Sequence, residues 1–166
     1  MSAYLQFTEK DSILANVTWG ANCGPHALAA STRSTLDRVR PHLVGFESKL
    51  YTNPTMMENA LNLMGINWDR KRGLKTKERP VHGMARVQWE GRWLNPGVPK
   101  MVAYQHTHWI ACSTLPEEEV FCTVMPAFGW CSGEQWTDYL DRWCPANGYT
   151  GWHITHHYDF ADPVPF

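Results

Sequence analysis

The chain has 166 residues, enough for one domain with a real core and too few to expect two. Its 15 basic and 16 acidic residues nearly cancel, so no overall field draws it to nucleic acid or an anionic membrane. No apolar run reaches the roughly 18 residues of a membrane-spanning helix, and "MSAYLQFTEKDS" has neither the basic start nor the apolar stretch of a secretory signal. A cytoplasmic protein with no membrane partner is expected; delivery with a phage or virion, which needs no such signal, stays open.

Five cysteines (23, 112, 122, 131, 144) are an odd set without a C-x-x-C pair, so neither a structural zinc site nor a disulfide framework is expected. In chain order, "WGANCGPHALAA" runs from Cys23 into a helix-forming stretch. Leu28, Thr32, Leu36 and Val39 continue at helical spacing, Pro25 is tolerated in the first turn, and Pro41 lies beyond the end. Cys23 is thereby placed at a helix N-terminus.

The segment "TNPTMMENALNLMG" reads as a second helix, with Asn53 or Thr55 as cap, Glu58 in capping-box position to Thr55, and Gly65 as stop. Its buried stripe is Met57, Ala60, Leu61 and Met64. In "NWDRKRGLKTKER" six residues are Lys or Arg; a solvated loop or hairpin tip is the simple reading. Nucleic-acid contact through Lys71, Arg72, Lys75 and Lys77 is the less favoured one, which the nearby Trp68 and Trp89 keep open.

The runs "VHGMARVQW", "VPKMVAY", "HWIAC" and "VFCTV", divided by turn-forming residues, predict strands of an antiparallel sheet. "SGEQWTDYLDRW" offers a Ser132 cap with Gln135 three residues on, then Trp136, Tyr139, Leu140 and Trp143 along one helical face, closed by Pro145. "GWHITHHYDF" alternates as a last strand. The fold class expected is α+β, with N-terminal helices packed on a mostly antiparallel sheet.

A thiol attacks a carbonyl as thiolate, and a helix N-terminus favours that charge. Cys23 has the position, Gly24 lets a substrate backbone approach, and free N–H groups of the first turn suit an oxyanion. The base comes from elsewhere in such sites; His108, opening the "HWIAC" strand, is the candidate, with His106 competing. His26 is one turn from Cys23 and suits tuning rather than proton transfer. His153 pairs with His157 at helical spacing, or with His156 on a strand, as a metal alternative, but strand neighbours diverge and no carboxylate or cysteine completes a clear set, so no metal or cofactor is implied.

Cys-Gly-Pro-x-Ala-Leu at a helix start, the "TNPTMMENALNLMG" helix and the later His-Trp-Ile strand together resemble the papain-like cysteine peptidases, nearest the bacteriocin-processing, double-glycine branch. The resemblance covers about residues 19 to 143. It implies one papain-like domain over 1–166, with Cys23 as nucleophile and His108 as base. An insertion at about 66–97 goes beyond the family's compact members and suits shaping a groove or binding a partner. Two positions depart from the pattern. The orienting carboxylate before a proline is replaced by Met125 before Pro126, with Thr123, the "EEE" turn or Asn147 as substitutes. The oxyanion glutamine six residues before the cysteine is Val17, with Asn16 as substitute.

The function expected is a cysteine hydrolase, a peptidase or amidase, cleaving a peptide or amide bond through a Cys23–His108 dyad and an acyl-enzyme, with Asn16 helping to hold the oxyanion. The alternative is a catalytically impaired module of the same design that binds a peptide or protein in the same groove.

Overall fold

A computed structural model describes residues 4–161. Helix α1 (Glu9–Trp19) opens on a reciprocal cap, in which Asp11 N–H donates to Thr8 Oγ1 and Thr8 N–H donates to Asp11 Oδ2 at 2.8 Å. These bonds hold the Asp11 carboxyl below its usual range. Sequence reading passed over α1 because only Ala15 and Trp19 of the helix are buried, while Ile13, Leu14 and Val17 face outward. It ends at Gly20, whose φ of 77° turns the chain back.

Helix α2 (Cys23–Ser31) is buried along its whole length after Cys23, as its Ala-rich composition allows. It stops eight residues short of the expected Val39. Arg33 adopts a left-handed φ of 53°, and Thr35 caps a separate short helix, α3 (Leu36–Val39), by accepting from Arg38 N–H. A short α4 (Phe46–Lys49) follows. Helix α5 (Pro54–Leu63) carries the expected apolar stripe, and Asn53 rather than Thr55 is its cap, accepting from Met56 N–H at 2.8 Å.

The strands are β1 (Trp68–Lys71), β2 (Gly83–Glu90), β3 (Thr107–Ser113), β4 (Glu119–Phe121), β5 (Trp130–Ser132) and β6 (Gly151–Phe160). They form one antiparallel sheet in the order β1-β6-β2-β3-β4-β5. Helix α6 (Lys100–Tyr104) occupies "VPKMVAY", which was expected as a strand. Pro99 caps this one-and-a-half-turn helix, and Met101 and Tyr104 stay exposed, so the apolar run is a surface feature rather than a sheet element. Helix α7 (Gly133–Ala146) has the expected Ser132–Gln135 capping box and runs one residue past Pro145.

The sheet separates two cores. In front, α2 and α5 pack Leu28, Met57 and Leu61 against Met84, Trp109, Ala111 and Tyr158. Behind, Trp136, Leu140 and Cys144 of α7 pack against Val87, Ile110, Val120 and Ile154. The architecture is α+β.

The basic segment is partly structural. Part of it forms the edge strand β1, and Thr76 bridges to Ile154. Arg70 pairs with Glu58 at 2.7 Å, Arg79 pairs with Glu118, and the Lys77 ammonium sits 3.8 Å from the Trp152 ring centroid. The 66–97 segment supplies β1 and also β2, in the middle of the sheet. Among the described residues, no helix is long and apolar enough to cross a membrane.

Candidate active site around Cys23

Cys23 is the first residue of α2, which folds there because extended Asn22 hands over to a Pro- and Ala-containing run. His26, one turn on, fixes this end: its Nδ1 lies 2.6 Å from Asn22 O and its Nε2 2.6 Å from Ser12 Oγ. The buried His26 ring is held below the usual imidazole pKa by desolvation and clamps α1 to the start of α2. It is a structural histidine.

The thiol lies at a cavity of about 820 Å³. Its walls come from the start of α2 (Asn22), the loop before α5 (Tyr51, Thr52), the sheet (Arg86, Trp109, His156) and the α6 region (Met101, Tyr104). Gly24 is required here, because a β-carbon would overlap the Thr52 side chain.

Burial raises the Cys23 pKa, opposed by hydrogen bonds from the N–H groups of Trp109, Gly24 and Cys23 itself and by the Arg86 charge. The Trp109 contact follows from strand register. Trp89 N–H donates to His106 O, so the hydrogen-bonded pairs of β2 and β3 fall at 89/106 and 87/108, and the Trp109 N–H points away from β2. On that side β4 ends with Phe121 opposite Ala111, two residues short. The Cys23 thiol meets the donor that β4 leaves unpaired.

His108 precedes that donor. An amide nitrogen lies about 2.4 Å from the preceding Cα by covalent geometry, so the His108 backbone is adjacent to the thiol. Its ring is buried on the back side of β3, 5.5 Å from the Trp89 ring centroid, with Nε2 3.3 Å from Cys122 Sγ. Desolvation pulls the imidazole down to about 4 and pushes the Cys122 thiol up to about 12. No hydrogen bond joins Cys23 to His108 among the described residues, and both groups rest neutral near pH 7.

The other candidates are placed as follows. His106 stacks on Trp93 with centroids 3.7 Å apart, away from the Cys23 cavity. Asn16 is exposed on α1 and donates to Ala21 O at 3.1 Å, so the structure does not bring it to the cavity. Of the substitutes for the orienting carboxylate, Asn147 caps α7 by donating to Trp143 O and Thr123 is exposed, while Met125, at the carboxylate's position, packs against the back core. The group that meets His108 Nε2 is Cys122. His153 faces Glu90 at 3.1 Å and His157 Nε2 faces Glu78 O at 2.7 Å. Among the described residues, no group of three or more His, Cys, Asp or Glu is disposed to hold a metal ion.

Sequence reading missed Arg86, and took up His156 only as a metal alternative. They are direct register partners across β2 and β6, beside a bulge that leaves Thr155 unpaired, and they face the cavity together. His156 is drawn down to about 4, first by burial and then by Arg86. The available signal was Arg86 itself, a charge inside a strand otherwise fit for complete burial. Comparison with protein-family models, with curated proteins and with solved structures gives no match.

Proposed function

We propose that the chain is a cysteine hydrolase of papain-like design, cleaving a peptide or amide bond held in the Cys23 cavity. The observation that carries this reading is the Trp109 N–H at the Cys23 thiol. It seats a helix-start thiol against the strand residue next to a buried imidazole, at a cavity large enough for a peptide segment.

In this reading the substrate carbonyl carbon lies over Cys23 Sγ. His108 takes the thiol proton as the C–S bond forms; with Nε2 against Cys122, it acts through Nδ1, the ring nitrogen nearer the backbone that adjoins the thiol, and the ring must turn past the edge of β3 to reach it. The oxyanion accepts from N–H groups of the first helical turn rather than from Asn16. His108 then passes the proton to the departing amine. Water, deprotonated by the same ring, attacks the acyl-enzyme carbonyl and frees Cys23. Both groups start neutral, so the proton moves during attack and no standing thiolate–imidazolium pair is required.

One observation favours the second reading, a module of the same design that binds a peptide or protein without efficient turnover. Where the imidazole needs an acceptor to orient it, this chain has the Cys122 thiol, a weak hydrogen-bonding group. Incubating the protein with a library of N-acylated peptide amides and reading products by mass spectrometry separates the two. Cleavage lost in both Cys23→Ala and His108→Ala supports the hydrolase. No cleavage by the wild type, with peptides retained, overturns it in favour of binding.

A further inference from the structure

Arg86 is 7% exposed in the middle of the sheet, and among the described residues no carboxylate pairs with it. Its hydrogen bond is a long one, to Thr107 Oγ1 at 3.3 Å, and its other partner is the Tyr104 ring, 5.5 Å from centroid to guanidinium carbon. Its Nε has no hydrogen-bond partner. The contrast with Arg70 and Arg79, each paired with a glutamate, is direct. A buried cation left without a counter-charge is destabilising in general, so a fold that keeps one beside a cavity has a use for it.

Two residues of the same cavity wall carry a buried polar atom without a hydrogen-bond partner: Thr52, whose Oγ1 is packed against Gly24, and Asn22, at Oδ1. The Asn22 amide is oriented by its other end, which donates to Leu50 O at 2.8 Å, so its oxygen is the atom left over. Thr52 Oγ1 and Asn22 Oδ1 are both shielded from the cavity, so the charged group that its wall offers a ligand beside the thiol is the Arg86 guanidinium. A ligand that satisfies it carries an anionic oxygen group.

We infer that the Cys23 cavity recognises a carboxylate on its substrate, bound by the Arg86 guanidinium. This rests on the hydrolase reading and names its substrate class: a peptide or N-acylated amino acid with a carboxylate close to the bond attacked. Arg86 is here a specificity-determining residue. A planar guanidinium matches a carboxylate edge-on.

The test needs no identified substrate. Iodoacetate and iodoacetamide differ by a carboxylate against an amide, and the ratio of their rates at Cys23, followed by mass spectrometry, cancels any change in thiol pKa. The ratio is expected to fall about tenfold or more in Arg86→Gln, the usual worth of a charge-assisted hydrogen bond, and to recover in part in Arg86→Lys. An unchanged ratio in folded Arg86→Gln overturns the proposal, as does a Cys23 that neither reagent reaches.

Should Arg86→Gln fail to fold, protection of wild-type Cys23 against iodoacetamide decides. N-acetylglycine, or N-acetylaspartic acid α-amide, is expected to protect where N-acetylglycinamide does not, and which acid protects tells a main-chain from a side-chain carboxylate. Equal protection by acid and amide, or none, overturns it. Carboxylate discrimination without amide cleavage leaves this inference standing and removes the hydrolase; amide cleavage without discrimination does the reverse.

Discussion

Cys23 and Cys122 belong to opposite layers of the same sheet, flank the same turn of β3, and are both raised in pKa by burial. Cys122 is pushed up to about 12 among Val120, Ile110 and Trp136, while Cys23 has backbone N–H donors, a helix N-terminus, the Arg86 charge and a cavity. Burial alone makes an inert thiol. Directed donors and access make a candidate nucleophile, and His108 lies between the two environments, its backbone beside one thiol and its ring against the other.

The largest expected break in that comparison is Cys23→Ala, which should lower cleavage of any accepted amide by on the order of 10³-fold or more, whereas Cys112→Ala should leave the rate unchanged. Steady-state kinetics on the best library substrate reads both. His108→Ala comes next, at roughly 10²- to 10⁴-fold in kcat. The pH profile sharpens the assignment: His108 must be neutral to act as base, and with its pKa at about 4 the acid limb of kcat/KM should fall near pH 4 rather than 6.5.

The same shift fixes a stability dependence. A folded-state pKa of about 4 against an ordinary 6.5 means that the unfolded chain binds the proton more readily. The stabilisation is fully present above pH 6.5 and is lost as pH falls through the folded value near 4, and His156 adds in the same direction. Tm should therefore drop across this window, less so in His108→Gln, as thermal melts against pH will show.

Cys122→Asn places an amide oxygen, a better acceptor than a thiol, at His108 Nε2. It is expected to raise kcat about tenfold, within what an orienting group is worth in triad enzymes, while Cys122→Ala gives no rise. At the small end, Thr8→Ala removes the α1 cap and should cost about 1 kcal/mol in denaturant melts, without touching Cys23 alkylation.

Where local chemistry decides the structure, the sequence was readable. Asn53 and Gly65 bound α5, Ser132 and Gln135 start α7, a short apolar run buried on both faces marks β3, and largely alternating burial marks β6. The failures have physical causes. α1 lacks an apolar stripe because it rests on the core through two residues; the break after Ser31 depends on a left-handed Arg33; and α6 is apolar because it borders a cavity. At the site, position within a motif pointed to Cys23 and His108. The resemblance puts the partner of the imidazole where Met125 stands, with Thr123, the "EEE" turn or Asn147 as substitutes, whereas Cys122 meets it because β4 ends at Phe121 and turns immediately. Asn16 was reached by counting residues along α1, but its side chain serves the turn into α2. Arg86 and His156 are joined only by pairing across β2 and β6, which no local spacing encodes.

The most direct test of the central claim is the rate of iodoacetamide alkylation at each of the five cysteines against pH, by mass spectrometry, in wild type and His108→Ala. Cys23 is expected to react ahead of the other four near pH 7 and to slow at least tenfold without His108, in keeping with a base-assisted thiol. A Cys23 that reacts at the same rate with and without His108 would contradict the account.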